Sequence, residues 1–287
     1  MNRRRFLQRT AAAGIGAMAL PYADPEWLYA EDSGKRFTAF DMRPIPGSGL
    51  KVSRLAMGSG AKGSSHTKRV GFENMVGLIR HGTERGLNFW DMADMYKSHH
   101  VFKEALKHVD RGKVAILTKS VNRTAEGMKA DIERFRKELN TDYIDILLMH
   151  YVHNPNWGTE WAATRDVISE AREKGLIRTY GLSIHDLQTF KNAVEDPWPE
   201  VILERINPAG AHMDGSPEEV APLFKRGDAN GKFMVGMKIV GEGDLRNRVD
   251  ESLKYVHSLG SVHNYTIGFE SVAELDGMVD KISRVRV

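Results

Sequence analysis

The sequence predicts a (β/α)8 TIM barrel with an N-terminal β-hairpin, and three observations carry that expectation. From about residue 36 onward, short β-type runs alternate with amphipathic helical stretches, the pattern of a parallel sheet with crossover helices. The strand-type runs number eight, the count that closes such a barrel. At 287 residues the chain also matches the length of one barrel, about 250 residues, plus a short extension.

The elements follow in order. Residues 1–32 read as a signal segment and linker, and 33–287 as a single barrel domain. Asn2-Arg3-Arg4-Arg5-Phe6-Leu7-Gln8 sets adjacent arginines before two apolar residues, and 11–20 is an uncharged run rich in Ala and Gly. That run is shorter than the roughly 20 apolar residues needed to cross a bilayer. It resembles a twin-arginine export signal, a route taken by proteins already folded, so export to the periplasm through the twin-arginine translocase is the expectation. The alternative is a basic tail on a cytoplasmic protein. Ala17, Ala19, Ala23 and Ala30 leave the processing point open.

Residues 40–54 read as the hairpin, turning at Pro46-Gly47-Ser48-Gly49. Barrel strands are expected at 54–57, 88–92, 114–118, 144–149, 179–183, 201–206, 233–239 and 265–269. Helices are expected at 73–85, 100–109, 125–139, 159–173, 186–194, 217–224, 246–258 and 272–282. Gly86 and Gly175 each stand just past a helical stretch, where glycine takes a left-handed conformation cheaply.

Composition narrows the function. The net charge is only +3 and arginines 3, 4, 5 and 9 sit together at the start, so no phosphate-neutralising stripe remains and nucleic acid is excluded as a partner. Without cysteine there are no disulfides, thiolate metal sites or cysteine nucleophile. A barrel of this size buries its own core, and a monomer is the default expectation.

In such barrels the chemistry gathers at the C-terminal ends of the strands. There the sequence presents Asp91 and Tyr96 after the second strand, Lys119 after the third and His150 after the fourth. A phenol is a poor acid or base at neutral pH, and an adjacent ammonium such as Lys119 is expected to lower its pKa. Asp91 would hold Lys119 by a salt bridge, and His150 would hydrogen-bond a carbonyl oxygen or help move the proton.

Asp91-Met92-Ala93-Asp94-Met95-Tyr96, Leu117-Thr118-Lys119 and Leu147-Leu148-Met149-His150 resemble the aldo-keto reductase family over nearly all of 43–279. The stretches 49–58, 139–145 and 175–183 add to the likeness. The resemblance implies hydride transfer between a nicotinamide and a carbonyl carbon, with Tyr96 passing the proton and Asp91, Lys119 and His150 supporting it. It implies NAD or NADP as cofactor and a small aldehyde, ketone, alcohol or sugar as substrate. Gly58 and Ser59 match the strand end beside the cofactor, and Ser183 matches the serine that binds the nicotinamide carboxamide. The Asn that commonly follows that serine is Ile184 here, with His185 next.

Where the family commonly stacks a Tyr on the nicotinamide, this chain has Met237, followed by Lys238. Met237 is either a ring contact through its sulfur or simply barrel core. Lys238 would reach a pyrophosphate or a substrate carboxylate, or be solvated. The stretch holding Gly268, Phe269, Ser271 and Glu274 resembles the segment around the adenosine ribose. Gly268 and Glu274 stand where NADP-specific members often carry Lys and Arg. A carboxylate there would repel a 2′-phosphate and accept a hydrogen bond from a free hydroxyl, and both cofactors stay open. Arg205-Ile206-Asn207-Pro208, with Gly210, His212 and Asp214, and also Tyr151, His153 and Trp157, are expected near the mouth.

Two rival readings remain. One is a nicotinamide-binding barrel that acts as a sensor or regulatory subunit. The other is a metal-dependent barrel using His99, His100 or His153, which the pointing of adjacent histidines in different directions disfavours.

Overall fold

The computed structural model describes residues 34 and 36–287. The expected export segment, 1–32, lies outside the described residues. Strands β1 (Met42–Pro44) and β2 (Lys51–Ser53) pair antiparallel with Arg43 opposite Val52. Gly47 and Gly49, at φ of 70° and 69°, make the turn.

Eight parallel strands then close a barrel: β3 (Leu55–Gly58), β4 (Phe89–Asp91), β5 (Ala115–Ser120), β6 (Ile144–Val152), β7 (Ile177–Ile184), β8 (Val201–Arg205), β9 (Phe233–Met237) and β10 (Asn264–Ile267). Each pairs with the next in sequence, and β10 returns to β3 with Ala56 opposite Thr266. Alternation along the strands sends Ala56, Phe89, Leu117, Ile146, Leu148, Leu203 and Val235 into one apolar cluster, and the hairpin adds Ile45, Leu50 and Val52 to it. The hairpin is therefore a stopper for one end of the barrel. β7 and β8 approach so closely that a Cβ on Gly181 would stand 1.7 Å from the Val201 carbonyl oxygen, so no side chain fits there.

The crossovers are α1 (Ala61–Ser64), α2 (His66–Val70) and α3 (Phe72–Glu84) after β3, α4 (His99–Leu106) after β4, and α5 (Ala125–Leu139) after β5. Then come α6 (Trp157–Glu160) and α7 (Ala162–Glu173), α8 (Leu187–Glu195), α9 (Pro217–Ala229), α10 (Val249–Leu259) and α11 (Val272–Arg284). Gly86 and Gly175 have φ of 107° and 71°, as their places after α3 and α7 require.

The differences from expectation have local causes. The stretch 159–173 is broken at Trp161, because Trp157 turns inward to 1% exposure and packs on Trp198, 5.8 Å away. α9 runs past 224 and through Pro222, started by a capping box in which Ser216 and Glu219 answer each other's backbone. α10 starts three residues late, because Gly241, Glu242 and Gly243 all take positive φ. β9 stops at Met237 since Lys238 turns left-handed, at φ 59°.

Candidate active site

The alternation that fills the barrel core continues to the strand ends. On β4, Phe89 faces inward and so does Asp91; on β5, Leu117 and then Lys119; on β6, Leu148 and then His150. The four residues expected to act together are brought together. Lys119, fully buried, donates to the Asp91 carboxylate and, at 2.9 Å, to the Met92 carbonyl. Its Nζ lies 4.9 Å from the centre of the Tyr96 ring. The Tyr96 hydroxyl stands 3.4 Å from His150 Nε2, a long contact of the kind that tightens around a ligand.

The electrostatics correct one expectation. Burial pushes the Tyr96 phenol above its ordinary 10; the Lys119 charge opposes this, Asp91 adds to it, and the net direction is up. The ammonium does not bring the phenol down, because burial outweighs it and Asp91 offsets part of its charge. Burial works against the Lys119 ammonium, but Asp91 and Tyr96 hold its pKa above the usual value. Burial, with Lys119, His185 and Arg123 nearby, drives His150 down to about 2, so it is neutral. Tyr96 is thus a protonated phenol beside a neutral imidazole.

A second layer holds these groups in place. Tyr96 ends a short turn, Asp94–Tyr96, and Asp94 is gripped by both arms of Arg134 at 2.8 and 2.9 Å. Arg134 also reaches Asp131, which accepts from Ser120 and Asn122 at the end of β5. Its contact with Glu138 leads to His99, which bonds Thr118 at 2.8 Å. Gly60 leaves room for the ring: a Cβ there would lie 2.3 Å from Tyr96, which would have to shift.

A cavity of about 480 Å³ opens from Tyr96 and Asp91 past Gly58, Met237 and Lys238 to Gly268 and Glu274. This is the size of a small-molecule site. Ser59, Phe269 and Ser271 do not line it. Ser59 is buried and donates to the Asp91 carbonyl at 3.1 Å, the Phe269 carbonyl faces His66 at 2.8 Å, and Ser271 caps α11. Met237 is 8% exposed and belongs to both the apolar cluster and the cavity wall. Lys238 pairs with Glu242, and burial followed by Arg205 lowers it to about 8. The Glu274 carboxylate accepts the Glu270 N–H at 2.8 Å, so it is engaged in its own chain. Ser183 is buried and its hydroxyl has no partner.

His185, just past the end of β7, lines the cavity and accepts a hydrogen bond from Arg205, itself inward on β8 and held by Asp214 at 2.8 Å. Sequence reading placed Arg205 and Asp214 near the mouth without pairing them. The period-two count from Leu203 was the signal that would have set Arg205 in the ring of inward residues. Behind it Glu204 is fully buried, and burial together with Asp214 lifts its carboxyl well above the usual range. Among the described residues no three His, Asp or Glu side chains stand as a metal-binding group. His99 is instead tied to Glu138 and Thr118.

A stoppered parallel barrel whose mouth carries a buried Asp–Lys pair under a Tyr and a neutral His defines a class of barrel with titratable groups gathered at the edge of a small-molecule cavity. The chain belongs to the aldo/keto reductase family, whose model matches residues 54–279. It is 28% identical to the versiconal hemiacetal acetate reductase of Aspergillus parasiticus over 194 residues, 54% of this chain and 55% of that protein. It is 27% identical to the L-galactose dehydrogenase of Arabidopsis thaliana over 183 residues, 60% and 54% of the two chains. The chain thus spans just over half the length of these curated relatives. A putative aldo-keto reductase from Pseudomonas aeruginosa shares the fold with a TM-score of 0.73 at 21% identity, over 87% of this chain and 97% of its own.

The family uses NAD(P)(H), and the residues present fit that group. The cavity has the room, Gly58 and Gly268 keep the wall low, and Ser183, though it does not line the cavity, keeps a buried hydroxyl without a partner. A Cβ at those two positions would stand 2.6 Å from Thr266 Oγ1 and 2.9 Å from His66 Cε1.

Proposed function

We propose that this protein interconverts a small carbonyl compound and its alcohol with NAD(P)(H), Tyr96 being the proton donor in reduction. The observation that carries the reading is the Tyr96 hydroxyl, protonated and 3.4 Å from His150 Nε2, at the head of a cavity with the buried Lys119–Asp91 pair behind it. When bound, the nicotinamide supplies the hydride. Ser183 would hold its carboxamide, Met237 would pack on its ring, and the backbone at the start of α11 would receive phosphate, a reading supported by the unpartnered Ser183 hydroxyl and by Met237 in the cavity wall. Tyr96 gives its proton to the carbonyl oxygen. His150, neutral, orients that oxygen, and Lys119 stabilises the phenolate left behind while Asp91 fixes the ammonium.

The names of relatives support a carbonyl substrate carrying other oxygens: a hemiacetal reductase, an L-galactose dehydrogenase, and a methylglyoxal reductase of Escherichia coli, 33% identical over 139 residues, 46% of each chain. Export remains part of the proposal. A protein moved after folding would take its nicotinamide with it, and material from the exported fraction should keep the cofactor through gel filtration.

The test is a Tyr96→Phe variant. Turnover should fall by about 10²–10⁴-fold, the usual worth of a positioned acid, while NADH or NADPH still quenches tryptophan fluorescence. Tight cofactor binding without turnover of any carbonyl in the unmodified protein would favour the sensor reading. The same titration with both nucleotides decides between NAD and NADP, because Lys62 and Arg69 line the cavity yet already pair with Glu270.

A further inference from the structure

We propose that His185, locked by Arg205, is a second hydrogen-bond donor in the mouth and makes the site prefer carbonyl compounds bearing an oxygen on the adjacent carbon. The inference rests on the carbonyl–alcohol reading above and names the substrate class within it. A guanidinium can only donate, so the bond from Arg205 to His185 Nδ1 requires that nitrogen to be bare. The ring proton then sits on Nε2.

Arg205 cannot easily turn away, since Asp214 holds its other arm at 2.8 Å and Glu204 accepts its backbone N–H at 2.7 Å. Burial, then Arg205 and Lys238, bring His185 down to about 3, so no second proton relaxes the lock. Nε2 is buried and has no partner in the protein, although the residue lines the cavity. A buried donor left unanswered is costly, which makes it selective for whatever supplies the acceptor.

Position names the acceptor. The His150 and His185 ring centres are 6.3 Å apart, and Tyr151 packs on His185 at 4.5 Å as the outer wall. A carbonyl oxygen at Tyr96 and His150 leaves His185 facing the next carbon of the substrate. Two oxygens on adjacent carbons, each about 3 Å from its donor, fit that separation. A plain alkyl aldehyde leaves Nε2 unanswered.

The experiment compares kcat/KM for 2-hydroxypropanal and propanal with the full chain. The ratio should favour the hydroxyaldehyde, fall about tenfold in His185→Phe, as loss of one neutral hydrogen bond predicts, and recover in His185→Gln, which keeps a donor. An unchanged ratio, or equal loss on both aldehydes, overturns the proposal. A second readout needs no turnover: in the NADH-loaded protein the ¹⁵N signal of His185 should move with 1,2-propanediol and not with 1-propanol. If neither aldehyde is reduced but the diol moves that signal, the carbonyl reading falls and the donor stands. If both aldehydes are reduced while ratio and signal ignore the second oxygen, the donor falls and the carbonyl reading stands.

Discussion

The proposed acid at this mouth is set by dehydration more than by its charged neighbour. Burial lifts Tyr96 above 10 against the pull of Lys119, and His150 at about 2 stays neutral. As proposed, reduction needs a protonated phenol and a neutral imidazole, both present at every pH between 5 and 8. The rate of reduction should be flat across that range with no break near 6.5, whereas alcohol oxidation, which needs the phenolate, should climb as pH rises into the alkaline range. A pH profile of kcat/KM in both directions checks this; a histidine-like inflection in reduction would refute it. Gly60→Ala, with its methyl aimed at the Tyr96 ring, should lower kcat by about 10²-fold, as a displacement of about 1 Å does. The four mouth residues were legible in the sequence because strand ends can be counted. The fate of Ser59 and Glu274 was not, since a side chain's choice between a ligand and its own backbone depends on rotamers that no spacing reveals.

Among the elements, α5 is the clamp. Arg134 grips the turn that carries Tyr96, the carboxylate that holds the end of β5, and Glu138, the partner of His99. It is partly exposed, yet its fork onto Asp94 pulls that carboxyl below the usual range. Arg134→Ala should lower kcat several-fold to tenfold while cofactor affinity, read by fluorescence, stays near the starting value. Equal loss of both would mean that the clamp supports the whole mouth rather than the tyrosine. The eight strands and most crossover helices could be read from periodicity alone, whereas element ends could not. The bulge between Met149 and Val152, with Tyr151 at φ 56°, lengthens β6 past its expected stop. It answers a tertiary need, since Arg123 there donates to the His150 and Tyr151 carbonyls.

For the molecule as a whole, buried imidazoles set the acid limit. His150, His185 and His257 are held at about 2, 3 and 3, chiefly by burial, against an ordinary 6.5. An unfolded chain takes up protons there from pH 6.5 downward while the folded chain does not, so stability is full above that value and is lost as pH falls toward the folded values. Each such histidine costs about 1 kcal/mol per pH unit in that window. Carboxylates held low, such as Asp94, contribute only below about pH 4, while the raised Glu204 opposes the histidines above it without matching three rings. The urea midpoint should therefore drop clearly between pH 7 and pH 5, and drop less in His257→Gln. A midpoint independent of pH over that interval would show that these rings gain protons without unfolding.

The barrel closure was legible at this scale because a count of eight and the length agree. The hairpin's role was not, since a turn signal does not say what the turn will cover. Ile45, Leu50 and Val52 stopper the far end of the barrel, and that makes the cavity a cul-de-sac with one doorway. Two reactants that share a single doorway must queue: the deeper one goes in first and comes out last. Steady-state kinetics should accordingly be ordered, with the nucleotide leading, and a slow final departure would let one bound cofactor be reduced by an alcohol and reoxidised by the carbonyl that follows it.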